Sequence, residues 1–201
     1  MGGISNISFQ KNRQRVAYDI GMANMPLNYL TEQINLKYDQ GGALARTGKV
    51  IPKLLESLNT LNYYHLPYPK STGYEWFSAE VKPLLDNIHA ETKDLLHTVI
   101  HHNCEQIVSA IKNEKSIEKS RVLVTGGGAL NTFFVDILQE ILGASCEVVI
   151  PPKKFIEFKE AMVFAFMGVL KYLDETNVYA SVTGAQRDSS SGVIYNPDNR
   201  A

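Results

Sequence analysis

Three places in this chain combine residue types and spacing that could do chemistry. The loop Gly126-Gly127-Gly128 follows the apolar run Arg121-Val122-Leu123-Val124-Thr125 and precedes a helix expected from about Thr132 to Leu142, with Asn131 as its cap. At a strand-to-helix junction of this kind, backbone N–H groups and the helix dipole favour an anion, and glycine lets a phosphate or ribose approach the main chain. A nucleotide is the natural occupant; a tight turn with no ligand is the alternative. The dinucleotide fingerprint is incomplete, because Asn131 stands where the third glycine of G-x-G-x-x-G would fall and no strand-end carboxylate follows at the expected distance. That disfavours NAD. Asp19, placed at the end of a strand and followed by Gly21 and Asn24, could take a proton or orient metal-bound water beside a phosphate, although an aspartate near glycine also serves as a turn residue. Glu160 opens an apolar helix, where interaction with the helix amino terminus is the simpler explanation.

Two further patterns suggest chemistry and are set aside. Gly41-Gly42-Ala43-Leu44-Ala45-Arg46-Thr47-Gly48-Lys49-Val50 imitates a phosphate-binding P-loop, but Ala43 takes the first glycine's place and Val50 replaces the Ser/Thr that would hold magnesium. His97 and His101 share a helix face with His102 beside them, which makes a metal pair conceivable; no His-Glu pattern completes it, so a solvated face is expected.

The elements that must position these residues alternate in type. Ile4 to Phe9 and Arg15 to Ile20 read as a hairpin around Gln10-Lys11-Asn12-Arg13. Gly2 and Gly3 enter its first strand, with no preceding element to supply a neighbour. Helices are expected over Asn24 to Leu36 and Val50 to Leu58, then an extended loop from Tyr63 to Gly73 around Pro67-Tyr68-Pro69. Apolar residues at three- and four-residue steps between Ala79 and Asn113 predict an amphipathic helix. A strand over Glu147 to Ile150 ends at Pro151-Pro152, and Ala161 to Leu173, apolar nearly all round, reads as a buried helix. Strands alternating with helices indicate an α/β fold.

Composition narrows the function classes. With 44% apolar residues in 201, the chain can bury a core. The balance of 20 Lys+Arg against 21 Asp+Glu offers no basic field for nucleic acid. No apolar run reaches membrane-spanning length and no secretory leader is evident, so a cytoplasmic protein is expected. Cys104 and Cys146 read as free thiols.

Several segments, in order along the chain, resemble the anhydro-N-acetylmuramic acid kinases: Gly2-Gly3-Ile4-Ser5-Asn6-Ile7, Asp19-Ile20-Gly21-Met22-Ala23-Asn24-Met25, Pro69-Lys70-Ser71-Thr72-Gly73-Tyr74-Glu75-Trp76-Phe77, Val124 to Asn131, Glu160 to Phe166, and Ser181-Val182-Thr183-Gly184-Ala185. The resemblance implies a ribonuclease-H-like lobe, a mixed sheet flanked by helices, within the two-lobed actin, hexokinase and Hsp70-like architecture. It makes residues 1–201 a single carboxy-terminal kinase lobe, with the amino-terminal lobe outside the chain. In the reaction the resemblance implies, water attacks the anomeric carbon of 1,6-anhydro-N-acetylmuramic acid as O6 takes the γ-phosphoryl group of ATP, with Mg2+ on the phosphates. Asp19 matches the family's catalytic aspartate and Glu160 a second carboxylate on the sugar side. Gly2, Gly3, Gly21, Asn24, Gly126, Gly127, Gly128 and Asn131 fall in its nucleotide-side motifs, and relatives of this kind are commonly homodimers. Met22 stands where proline is usual and Tyr74 where arginine is common. A catalytically silent nucleotide- or partner-binding lobe, or a kinase for another amino sugar, is the alternative.

Overall fold

The computed structural model describes residues 1–114 and 120–195. Strands β1 (Ile4–Lys11) and β2 (Gln14–Met22) form an antiparallel hairpin closed through Asn12 and Arg13, both at positive φ (50° and 65°), the two-residue geometry that matches strand twist. Helix α1 (Asn24–Glu32) follows, with Pro26 in its first turn, and then α2 (Pro52–Asn59). Short α3 (Tyr74–Trp76) and α4 (Lys82–Asp86) are joined by a π turn over Phe77–Val81, and α5 (Thr92–Lys112) is the longest helix. The second sheet pairs β3 (Ser120–Leu123) parallel to β4 (Cys146–Val149), connected by α6 (Thr132–Leu142); α7 (Lys153–Tyr172) and α8 (Ala180–Thr183) complete the order. The expected α/β architecture is thus present, its strands divided between two small sheets whose β1 and β3 edges face each other across a cavity of 910 Å³.

Helix α5 organises the core. Leu96, Val99, Ile100 and Cys104 are at most 1% exposed, enclosed by α1, α2, α6 and β2. Asn131 caps α6 as its sequence position foretells, its side chain accepting a 3.0 Å hydrogen bond from the Phe134 amide. The false P-loop is structural. The Leu44 and Ala45 amides, which a phosphate would need, donate to the Asp39 carboxylate at 2.9 Å each. At Gly42, φ is +73° and a Cβ would collide with Asn131 and Phe133.

Four expectations need correction. Asp19 is not at the strand end: β2 runs on to Met22, with a bulge at Ile20, since Asn6 faces Asp19 and Ser5 faces Gly21. The helix expected over Ala79 to Asn113 is interrupted between Asp86 and Thr92, where Ile88 to Glu91 lie outside any helix. The histidine face is packed, not solvated. His97 and His101 stack at 4.8 Å beside Phe133, and His102 is 2% exposed, because α5 is covered on several sides at once.

The last correction concerns α7. It begins at Lys153, two turns before the apolar segment, because the charged residues Lys153, Lys154, Glu157 and Lys159 interrupt the apolar pattern and conceal its start; Glu160 therefore lies inside the helix rather than opening it. Nor is the helix buried. Phe164 is 68% exposed and Tyr172 79%, and Ile156 is its one buried described residue. An all-round apolar surface specifies that a helix needs cover, not that the cover lies within the same residues. Replacing Phe164 and Phe166 by serine is expected to lower self-association in sedimentation velocity while moving stability by no more than about 0.5 kcal/mol, as for other exposed positions. Unchanged association would show that this face does not mediate it.

Candidate functional site

The amino end of β1, the junction between β2 and α1, and the glycine loop after β3 meet on one open surface. Gly2 and Gly3 are exposed, and their carbonyls accept from the first amides of α1: Asn24 N–H to Gly2 O at 3.1 Å, Ala23 and Met25 N–H to Gly3 O at 2.9 and 3.1 Å. Gly128 N–H donates to Met1 O at 3.2 Å, which ties the glycine loop to the same strand end. The Asn24 side-chain Nδ2 lies 3.5 Å from where a Cβ on Gly127 would stand. Gly126 has φ +81°, and a Cβ there would meet the Met1 main chain, so only glycine lets the loop pass.

A polar residue within the core supports this junction. Asn103, 2% exposed on α5, donates from Nδ2 to Ala23 O at 3.1 Å. Its signal in the sequence is an asparagine between Ile100 and Ile107 on an apolar face, which marks a main-chain group being held. Ser5 Oγ likewise donates to Gly21 O at 3.1 Å, in buried surroundings.

Of the sequence-predicted residues, Gly2, Gly3, Asn24, Gly126, Gly127 and Gly128 come together. Gly21 is adjacent, with its Cβ direction filled by the Tyr64 ring, so packing accounts for glycine there. Asn131 lies a 3-10 turn beyond the loop, its side-chain oxygen committed to the cap. Asp19 is half-buried, its carboxylate accepting from the Thr72 amide at 3.1 Å. Glu160 is exposed on α7 and close enough to the Met1 amine to act on it electrostatically. Its neighbour Lys159 donates to Thr125 Oγ1 at 3.2 Å, so α7 borders the glycine loop.

A family model of the anhydro-N-acetylmuramic acid kinases matches residues 1–197, nearly the whole chain. The chain belongs to the anhydro-N-acetylmuramic acid kinase family. Proteins named anhydro-N-acetylmuramic acid kinase from Aliivibrio fischeri, Vibrio cholerae and Actinobacillus pleuropneumoniae are 35%, 33% and 33% identical over 199, 203 and 201 residues, covering 97%, 98% and 97% of the chain. It spans about half the length of these kinases, 54% to 55%.

A nucleotide fits the surface these elements make. Among the described residues the Gly127 amide has no hydrogen-bond partner, and Gly127 is exposed at the start of a helical turn, where an anionic oxygen would find an unpaired donor. Nothing stands within 4 Å of a Cβ position on Gly2, leaving room beside it. Among the described residues no group of three or more His, Cys, Asp or Glu side chains could cage a metal ion, and no helix is long and apolar enough to cross a membrane.

Proposed function

We propose that this chain is the carboxy-terminal, nucleotide- and base-bearing lobe of a cytoplasmic sugar kinase that converts 1,6-anhydro-N-acetylmuramic acid and ATP to N-acetylmuramic acid 6-phosphate and ADP. The observation that carries the reading is the meeting of Gly2, Asn24 and the exposed Gly127 amide at the junction that follows Asp19. In this reading the glycine loop receives the nucleotide, with Gly126 to Gly128 contributing main-chain surface without side-chain bulk. Asp19 takes a proton from water as the water oxygen bonds to the anomeric carbon. The bond between that carbon and the bridging oxygen breaks, and this oxygen, O6, accepts the γ-phosphoryl group. Mg2+ bound with the nucleotide would supply charge neutralisation for the transferring group. Glu160, at the rim beside Lys159, faces the sugar. Catalysis depends on a second lobe to close the cleft, and the active kinase is a homodimer, to be checked by its solution mass.

The test is titration calorimetry of the chain with ATP and magnesium. Saturable binding is expected, weakened more than ten-fold by Gly127→Leu, whose side chain would crowd Asn24. No saturation at millimolar nucleotide, or a Gly127→Leu variant that binds as the parent does, would count against the loop as the nucleotide site.

A further inference from the structure

The run from Tyr63 to Thr72 folds back onto β2, with Tyr68 stacked on Tyr18 at 5.0 Å and Tyr64 over Gly21, and three of its hydrogen bonds converge on Asp19. The alternation of the antiparallel ladder directs the main-chain groups of Asp19 away from β1, and both are taken up by this run. Asp19 N–H donates to Lys70 O at 3.1 Å, and Asp19 C=O accepts from the Tyr63 hydroxyl at 2.8 Å. The carboxylate is held too, Oδ2 accepting from Thr72 N–H, while Oδ1 has no hydrogen-bond partner among the described residues.

The run is itself braced. Lys70 Nζ donates to the Tyr63 carbonyl at 3.0 Å and lies 4.7 Å from the centre of the Tyr63 ring. Tyr63 is 7% exposed and packs against Trp76 at 4.9 Å. Burial first, and the Asp19 charge second, push its phenol above the usual range, so it remains a proton donor to the carbonyl.

Resting on the proposed role of Asp19 as the base, we infer that Tyr63 and Lys70 are positioning residues: they lock the Asp19 backbone so that Oδ2 stays on the Thr72 amide and Oδ1 is the oxygen presented to water. A carboxylate held through its backbone N–H, its backbone C=O and one oxygen has little rotational freedom left. Such preorganisation acts on the chemical step rather than on substrate binding.

The test has two readouts. In the chain itself, amide hydrogen exchange followed by NMR is expected to show the Thr72 amide exchanging about ten-fold faster in Tyr63→Phe and in Lys70→Met, the loss of roughly one hydrogen bond. Amides of Leu96 and Val99 in the core of α5 should stay within two-fold, which separates a local release from general destabilisation. In the full-length kinase, Tyr63→Phe should lower kcat about ten-fold with KM for the sugar within two-fold. An unchanged Thr72 amide, or Thr72 and core amides accelerating together, overturns the positioning role. A parent kinase that phosphorylates no anhydro sugar overturns the reading of Asp19 as base, and the exchange experiment tells that failure apart from failure of the strap.

Discussion

Asp19→Asn is expected to leave ATP binding intact and to lower turnover of the anhydro sugar by the full-length kinase on the order of 10²–10⁴-fold, the range general-base catalysis supplies. Asparagine keeps the shape of the side chain, and its oxygen can still accept from the Thr72 amide that now meets Oδ2. The backbone ties to Lys70 and Tyr63 need no carboxylate, so the local geometry should persist. What is lost is the capacity to take a proton from the attacking water. A steady-state assay with calorimetry alongside decides the matter: turnover within a few-fold of the parent would remove Asp19 from the chemistry, and loss of nucleotide binding would move it to the binding surface.

Acid is expected to destabilise the fold through His102. Its Nδ1 donates to Asn59 Oδ1 at 2.7 Å, while Nε2 is buried with no partner among the described residues, and the Tyr64 ring stands edge-on at 4.8 Å. The nearest carboxylate in this network, Glu105, is engaged by Asn59 Nδ2 at 2.7 Å rather than by the imidazole. Burial pulls the folded-state pKa from 6.5 down to about 3. The unfolded chain therefore binds a proton between pH 6.5 and 3 that the folded chain refuses, so stability falls as pH drops through that window. Each unit is worth roughly 1.4 kcal/mol, or about 2 kcal/mol between pH 7 and pH 5 from this residue. Urea unfolding at the two pH values should show that loss in the parent and a much smaller one in His102→Gln, whose amide does not titrate. An equal loss in both would assign the acid sensitivity elsewhere.

The parts of this fold that local chemistry determines were legible in the sequence. The hairpin follows from β-branched residues around a turn, α6 from its asparagine cap, and the glycine loop from its place between strand and helix. Hidden features depend on distant partners. No residue type marks the bulge at Ile20, so Asp19 reads as a strand end when it is an interior position. The Tyr63 to Thr72 run reads as a proline-rich loop because two of its three bonds to Asp19 use its own main chain, which carries no side-chain signature. Helix α7 departs from its expected burial for a related reason: apolarity records what a surface requires, and where the cover comes from is a tertiary matter.

The ties that aim Asp19 reach 44 and 53 positions down the chain, across the exposed stretch His65 to Pro69. None of His65 to Pro69 belongs to the buried core around α5. A protease cut there, or warming sufficient to lift the run from β2, would release the carboxylate while the helices stayed folded. Inactivation and unfolding would then be separate events, with heat or proteolysis silencing the molecule before melting it, so a thermal melt would overstate the temperature at which it still works.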